Sequence, residues 1–194
     1  MTTATTDWNR RLRGQLDFAW HGHVRPRLDG LTDEEYLWEP VPGMWNVRPR
    51  GTGTAPIQAG VGAMTIDFEV PEPDPAPVTT IAWRLGHVVV GVLAVRNAAH
   101  FGRDPVDYES FEYAATADEA LAQLDAEYAT WMDGVAALGE EGLARPVGES
   151  EGDHAEDPYL ELVLHIHREV IHHLAEVCLL RDLYRARHTD GALR

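Results

Sequence analysis

Cysteine and long apolar runs are nearly missing from this chain of 194 residues, and each absence excludes a class of protein. The single cysteine, Cys178, excludes an intrachain disulfide and any metal site built from several cysteines. No apolar run approaches the roughly 20 residues that a transmembrane helix needs, so we expect no membrane span. Residues 1–7 are polar and rich in threonine, which predicts no signal peptide. These features together predict a cytoplasmic protein.

Basic residues are also scarce, with 16 against 32 acidic residues and a formal net charge of -16. Such a charge disfavours nucleic acid and anionic membrane as partners. We expect a small molecule as the substrate. The length fits one domain over residues 1–194, and the hydrophobic fraction of 44% is enough for a core without disulfide support.

Apolar residues at helical spacing, together with capping residues, mark the secondary structure. A short helix is predicted at residues 32–38, where Thr32 and Glu35 have the spacing of a capping box. Pro26 should end the first long helix, and Gly102 and Gly139 should end the second and third. The predicted long helices are residues 7–25, 80–101, 116–138 and 157–187.

Residues 39–79 separate the first two long helices and are too rich in proline and glycine for a helix. Within them, residues 65–70 alternate apolar and polar side chains, which predicts a short strand or an extended segment at most. The predicted fold is therefore all-α: an antiparallel four-helix bundle with a long crossover between helices 1 and 2.

The fourth long helix carries a row of metal-binding side chains. His165, Glu169 and His173 are each four residues apart, so they lie in one stripe along the helix. Two side chains at this spacing can chelate one ion, as in the zinc motif with two histidines on a helix. The other side of this helix is predicted to be its apolar face and carries Leu160, Leu164, Ile171, Leu174 and Cys178.

The second long helix offers a third ligand. His87 lies off its apolar face, with Trp83 and Gly91 each four residues away, and Gly91 would leave room beside the ring. Taken alone, His87 can equally be a hydrogen-bonded core residue, and Glu169 with His173 can be a surface ion pair. His165, His167 and His172 can simply be exposed.

At these residues the chain resembles the DinB/YfiT-like superfamily. The resemblance covers most of the chain and is carried by residues 31–43, by Thr80-Ile-Ala-Trp-Arg-Leu-Gly-His87 and by Arg168-Glu-Val-Ile-His-His173-Leu-Ala-Glu176. Members present one histidine from the second helix of a four-helix bundle and two ligands from a later helix. Many use three histidines, whereas the middle position here is Glu169. The mycothiol-dependent maleylpyruvate isomerases are a similar branch with a histidine–glutamate–histidine set.

The resemblance implies a divalent metal held by His87, Glu169 and His173, with zinc as the first choice and nickel or iron as alternatives. It also implies a thiol-dependent transferase or isomerase that uses a low-molecular-weight thiol such as mycothiol. His165 would be the catalytic base or a partner of Glu169. A metal-dependent hydrolase and a non-catalytic metal- or ligand-binding bundle remain as alternatives. Related bundles commonly pair, so we expect a homodimer through the second and third helices.

Overall fold

Most of the chain is helical in the computed structural model, which describes residues 6–189. Two π-helical stretches, Trp20–Val24 and Val88–Ala94, join neighbouring α-helices into longer segments, and Glu149–His154 forms a 3₁₀-helix. The α-helices are α1 (Trp8–Ala19), α2 (Arg25–Leu28), α3 (Asp33–Tyr36), α4 (Ile81–His87), α5 (Val95–Phe101), α6 (Ala117–Leu143) and α7 (Tyr159–Thr189). The chain is mainly helical, as expected. Most of the residues from which we expect no signal peptide, 1–7, lie outside the described residues.

The helix starts follow the capping residues of the sequence. The side chain of Asp7 accepts a hydrogen bond from the backbone N–H of Arg10, at 2.8 Å, and so caps α1. Thr32 and Glu35 form a complete capping box at α3, as predicted. Thr80 caps α4, and Gly102 ends α5 with a φ of 72°, a conformation that glycine adopts without strain.

One predicted helix end is wrong and another is confirmed. The first helical segment does not end before Pro26 but continues to the end of α2, since Pro26 lies in the first turn of α2, where its missing N–H costs no hydrogen bond. The end of the third helix at Gly139 is confirmed, because this residue leaves helical geometry with a φ of 61° and a ψ of −169°. A short further helical stretch follows the kink as far as Leu143, and α6 denotes both parts.

The crossover of residues 39–79 is more ordered than predicted, because it contains a small antiparallel sheet. Its strands are β1 (Val47–Pro49), β2 (Ile57–Ala59) and β3 (Met64–Phe68), with β3 in the centre. Val47 pairs with Ile66, and Ile57 pairs with Phe68. The alternating segment is thus a real strand, β3, and the strictly all-α expectation is corrected.

The sheet is fixed to the helices by polar and aromatic contacts. The indole Nε1 of Trp83, in α4, donates to the carbonyl of Asp67 at 2.8 Å. The carboxylate of Asp67 is buried and accepts from Nε of Arg48 at 2.9 Å. The ring of Phe68 lies against Trp83, with 5.5 Å between centroids. The sheet therefore forms one side of the environment around α4.

The core lies where α1, α6 and α7 contact one another and the segment from α4 to α5. The buried side of α7 carries Val163, Ile166, Val170, Leu174 and Val177. The predicted apolar face of this helix was therefore partly wrong, as Leu160, Leu164 and Ile171 are exposed. In the part of the chain that the structure describes, every helix is too short or too polar to cross a membrane.

Candidate metal site

His87 is the last residue of α4, and the stretch Val88–Ala94 begins directly after it. Its ring stacks on Trp83, with 5.3 Å between centroids and 14° between planes. Its Nδ1 lies 2.7 Å from the hydroxyl of Tyr108. Gly91 permits this contact, because a Cβ at that position would lie 1.9 Å from the same hydroxyl oxygen. The room that Gly91 leaves beside His87 is therefore filled by Tyr108.

His87 is held in its neutral form. Burial lowers the pKa of its imidazole to about 4, and the positive charges of His173 and Arg84 act in the same direction. The carboxylates of Glu169 and Glu176 oppose this shift without cancelling it. A neutral imidazole is the form that coordinates a metal, so His87 needs no proton release near pH 7 to act as a ligand.

Glu169 and His173 face each other one turn apart on α7, as predicted from their spacing. Nε2 of His173 lies 3.3 Å from Oε2 of Glu169, and His173 is only 9% exposed. Two donors at ~2.0–2.2 Å from one tetrahedral zinc ion would stand roughly 3.3–3.6 Å apart, so this separation suits a shared ion. The rings of His87 and His173 meet edge to face, with 4.8 Å between centroids and 88° between planes.

The second ring nitrogen of His173 has two polar neighbours. Its Nδ1 lies 3.0 Å from Oε2 of Glu176 and 3.1 Å from Nη1 of Arg84. The same Arg84 nitrogen lies 3.1 Å from Oε2 of Glu176, which makes an ion pair across α4 and α7. A carboxylate that accepts the Nδ1 proton of a histidine fixes the ring and leaves Nε2 for a metal.

The donor set fits a divalent ion of the zinc type. Nδ1 of His87 and Nδ1 of His173 both have partners, and among the described residues Nε2 of His87 has no hydrogen bond. Two neutral imidazole nitrogens and one carboxylate oxygen are ligands that zinc, iron and nickel accept.

A different group is more compact. In residues 6–189, the one set of three metal-binding side chains whose donor atoms all lie within 4.8 Å is His172, His173 and Glu176. The donor atoms of His87, Glu169 and His173 do not all meet that limit, so these side chains would have to move closer together to hold one ion. His172 is 62% exposed, and its Nε2 lies 3.7 Å from Oε1 of Glu176. Arg84 already forms an ion pair with Glu176 and lies 3.1 Å from Nδ1 of His173. A second cation there would have to displace the guanidinium.

His165 lies at the border of the site. Its Nδ1 is 3.7 Å from Oε1 of Glu169 but 2.7 Å from Nη2 of Arg168. Since a guanidinium can only donate, Nδ1 of His165 accepts, and the neutral ring carries its proton on Nε2. In this tautomer the Nε2–H of His165 can donate a hydrogen bond, and its role as a catalytic base stays a prediction.

Sequence reasoning missed Arg84 and Tyr108. Arg84 precedes His87 by three residues, so helical spacing placed it on the same side and gave a usable signal. Tyr108 lies in the segment between α5 and α6, and its position depends on how that segment folds back over Gly91. No local pattern indicates such a contact.

A comparison with family models matches residues 59–177, more than half of the chain, to the family described as the DinB superfamily. His87, Glu169 and His173 all lie inside the matched region. Comparisons with curated proteins and with solved structures gave no match. The sequence resemblance to this superfamily is confirmed by a match of that extent, and the chain belongs to the DinB superfamily.

Proposed function

We propose that this protein is a divalent-metal-dependent enzyme whose ion is held by His87, Glu169 and His173. In this proposal the helical segments form a single antiparallel four-helix bundle, and the ion lies between its second and fourth helices. The observation that carries the proposal is the edge-to-face meeting of two largely buried imidazoles beside the Glu169 carboxylate, with both Nδ1 atoms occupied.

The position between His87 and Glu169 is favoured over the more compact group around Glu176. Arg84 lies at 3.1 Å from both Glu176 and His173, so a positive charge already balances that side. The guanidinium next to Glu169 is farther away and more exposed, since Nε of Arg168 lies 3.4 Å from Oε1 and its side chain is 68% exposed. The other oxygen of Glu169 faces the Nε2 atom that His173 can offer to an ion. Coulomb repulsion by Arg84 therefore directs a metal toward His87 and Glu169.

We propose zinc as the metal, with nickel and iron as the other candidates for this ligand set. The reaction we propose is a transfer or isomerisation that uses a low-molecular-weight thiol, which follows the resemblance to the mycothiol-dependent branch. A bound divalent ion would keep a net positive charge with these ligands and would supply activation of the thiol by favouring its deprotonated form.

The chain's own residues contribute orientation and exclusion of water. Tyr108 holds His87, and Glu176 with Arg84 holds His173. The rings of Trp83 and Phe68 close the site on the side of the sheet. The Nε2–H of His165 would donate a hydrogen bond to a small molecule that enters next to Glu169.

The oligomeric state is a separate proposal. We propose a homodimer, as expected from the sequence, but through the C-terminal half of α7, away from Arg168, and not through the second and third helices. Most residues between Ile81 and Ala94 are buried within the protomer, whereas Leu179 and Leu183 remain exposed on α7. Sedimentation at a mass close to the 21.6 kDa of one chain would contradict it.

The test of the metal site is elemental analysis of protein purified without chelator and without a nickel column. We expect about one equivalent of divalent metal in the parent and in H172A, and a loss of metal in H87A and in E169Q. If H172A loses the metal while H87A keeps it, the ion lies in the group around Glu176 and the proposal is wrong. A screen of the loaded protein for thiol-dependent consumption of electrophiles then tests the reaction, and hydrolysis without thiol would overturn it.

A further inference from the structure

A second feature of the molecule is a cavity of about 410 Å³ next to the start of α7. It lies between Arg96 of α5, the 3₁₀-helix Glu149–His154, and residues 157–168. This volume is in the range of about 300–1,000 Å³ that small-molecule sites occupy.

The cavity adjoins the candidate metal site on the side of α7. His165 and Arg168 line it, and both approach the carboxylate of Glu169, at 3.7 Å and 3.4 Å. A ligand in the cavity would therefore be separated from Glu169 by one layer of side chains.

The cavity also adjoins the site on the side of the second helix. Arg96 donates to the carbonyl of Gly91 at 2.9 Å, and Gly91 is the residue against which the Tyr108 hydroxyl packs. Burial raises the pKa of Tyr108 to about 12, and the charge of Arg96 acts against that rise. Arg96 is thus close to the residue that holds His87.

Most acidic groups of the cavity wall are paired with basic side chains of the protein itself. Glu151 accepts from Nε2 of His100 at 2.9 Å and from Nη2 of Arg96 at 3.4 Å. Although its burial works in the other direction, these two partners hold the pKa of Glu151 below its usual value. Asp157 pairs with His154 at 2.8 Å. Glu161 is exposed and lies at the rim.

The hydrogen-bond donors of the wall are not used up in the same way. Nε of Arg96 is buried and has no hydrogen-bond partner among the described residues. The Arg168 side chain is 68% exposed, and its contact with His165 turns the Nε2–H of that ring into a further donor. The sequence contains no lysine, so guanidinium groups provide these fixed positive charges, and their planar donors match a carboxylate.

We propose that this cavity binds the carboxylate group of a small molecule through Arg168, Arg96 and His165. The part of the inference that concerns catalysis rests on the proposed function: the other end of the molecule would reach the ion beside Glu169. The carboxylate can belong to the substrate or to the thiol, and both present the same group to the guanidinium donors.

Binding of three related compounds to the metal-free protein tests the inference. N-acetylalanine has a carboxylate and no thiol, N-acetylcysteamine has a thiol and no carboxylate, and N-acetylcysteine has both. Calorimetric titration should give similar dissociation constants for the two carboxylates and at least about tenfold weaker binding of N-acetylcysteamine. Equal binding of all three compounds would overturn the inference.

Substitutions test whether the carboxylate binds at Arg168. Arg168→Gln should weaken binding of N-acetylalanine about tenfold, whereas the matched control Arg10→Gln, at a side chain that is 70% exposed, should leave it unchanged. Arg168 is on the surface, so its replacement should not unfold the protein, which circular dichroism checks. Unchanged binding by Arg168→Gln would place the carboxylate elsewhere.

Titration of the metal-loaded protein identifies the source of the carboxylate. A gain in affinity for N-acetylcysteine over N-acetylalanine assigns it to the thiol. Equal affinities would show that the thiol end does not reach the ion and would overturn that part of the inference. Because the first titrations need no metal, they stand even if the proposed function fails.

Discussion

Two regions of the molecule contain a buried histidine with the same perturbation, and only one of them has the features of a site. Burial lowers the pKa of both His87 and His167 to about 4. His167 lies on the buried side of α7 with its ring 6.2 Å from that of Trp131, and its Nε2 has no hydrogen-bond partner among the described residues. His87 instead meets His173 and is held at Nδ1 by Tyr108.

The comparison shows that a shifted pKa does not by itself mark a functional histidine. Both rings lost water on folding, and that loss is the largest cause of each shift. What distinguishes His87 is that its ring meets that of His173 on α7, whose Nε2 faces the carboxylate of Glu169. Within residues 6–189, the ring that His167 contacts is the indole of Trp131, so His167 can stabilise the core but has no second ligand beside it.

The largest expected effect is on zinc affinity, and it should differ between the two regions. His173→Ala removes one of three ligands and should weaken the binding of zinc by at least about 100-fold. His167→Gln, on the opposite side of the same helix, should change it by less than about threefold. Competition with a chromogenic chelator measures both. A comparable loss of zinc affinity in the two variants would mean that His167 matters to the metal as much as His173, which would contradict the proposed site.

The pH dependence of stability should be shared by the two regions. Because folding lowers both pKa values from about 6.5 to about 4, the unfolded chain binds more protons between these limits, and the metal-free protein should lose stability as the pH falls from about 6.5 to 4. Each ring can contribute up to about 3 kcal/mol. Urea unfolding of H87Q and H167Q across this range should show a shallower pH dependence than the parent, and an unchanged slope would contradict the assignment.

The contact between Tyr108 and His87 gives a smaller effect that is specific to the first region. Tyr108→Phe removes the partner of Nδ1 and should weaken zinc binding roughly 10- to 100-fold, as expected for a residue that orients a ligand. Its cost in stability should be only about 1 kcal/mol, because one hydrogen bond is lost and the ring stays. If stability falls and metal affinity does not, Tyr108 is only a packing residue.

Arg84 should have the smallest effect, and in the opposite direction. Arg84→Met removes a cation next to His173 and should tighten zinc binding severalfold, since repulsion between the guanidinium and the ion is lost. Calorimetry of the parent and the variant checks this sign. Weaker binding in R84M would mean that the guanidinium serves mainly to position Glu176.

The helices of this protein were largely predictable because their signals are local. Asp7, Thr32, Thr80 and Thr116 each accept a hydrogen bond from a backbone N–H two or three residues into the helix that they precede. The i, i+4 spacing likewise predicted that Glu169 and His173 share one side of α7. Such features depend on only a few consecutive residues, so the sequence itself determines them.

Contacts between distant segments were not predictable in the same way. The pairing of β3 with β1 and β2 depends on how residues 39–79 fold back on themselves, and periodicity within one strand does not specify its partners. The exposed side of α7 was misjudged because that helix has apolar residues on most of its sides, and only packing against α1, α4 and α6 selects the buried ones.

The amino-acid sequence alone determined that the chain is mainly helical, that Glu169 and His173 lie together, and that His87 faces away from the apolar stripe of its helix. The tertiary structure decided that His87 meets His173, that Tyr108 and Arg84 hold the two rings, and that the cavity beside Glu169 presents guanidinium groups. The physical reason is the distance along the chain over which each interaction acts. Helix caps and helical spacing act over one turn, whereas a site needs side chains from separate segments to converge, and that convergence is fixed by packing of the whole chain.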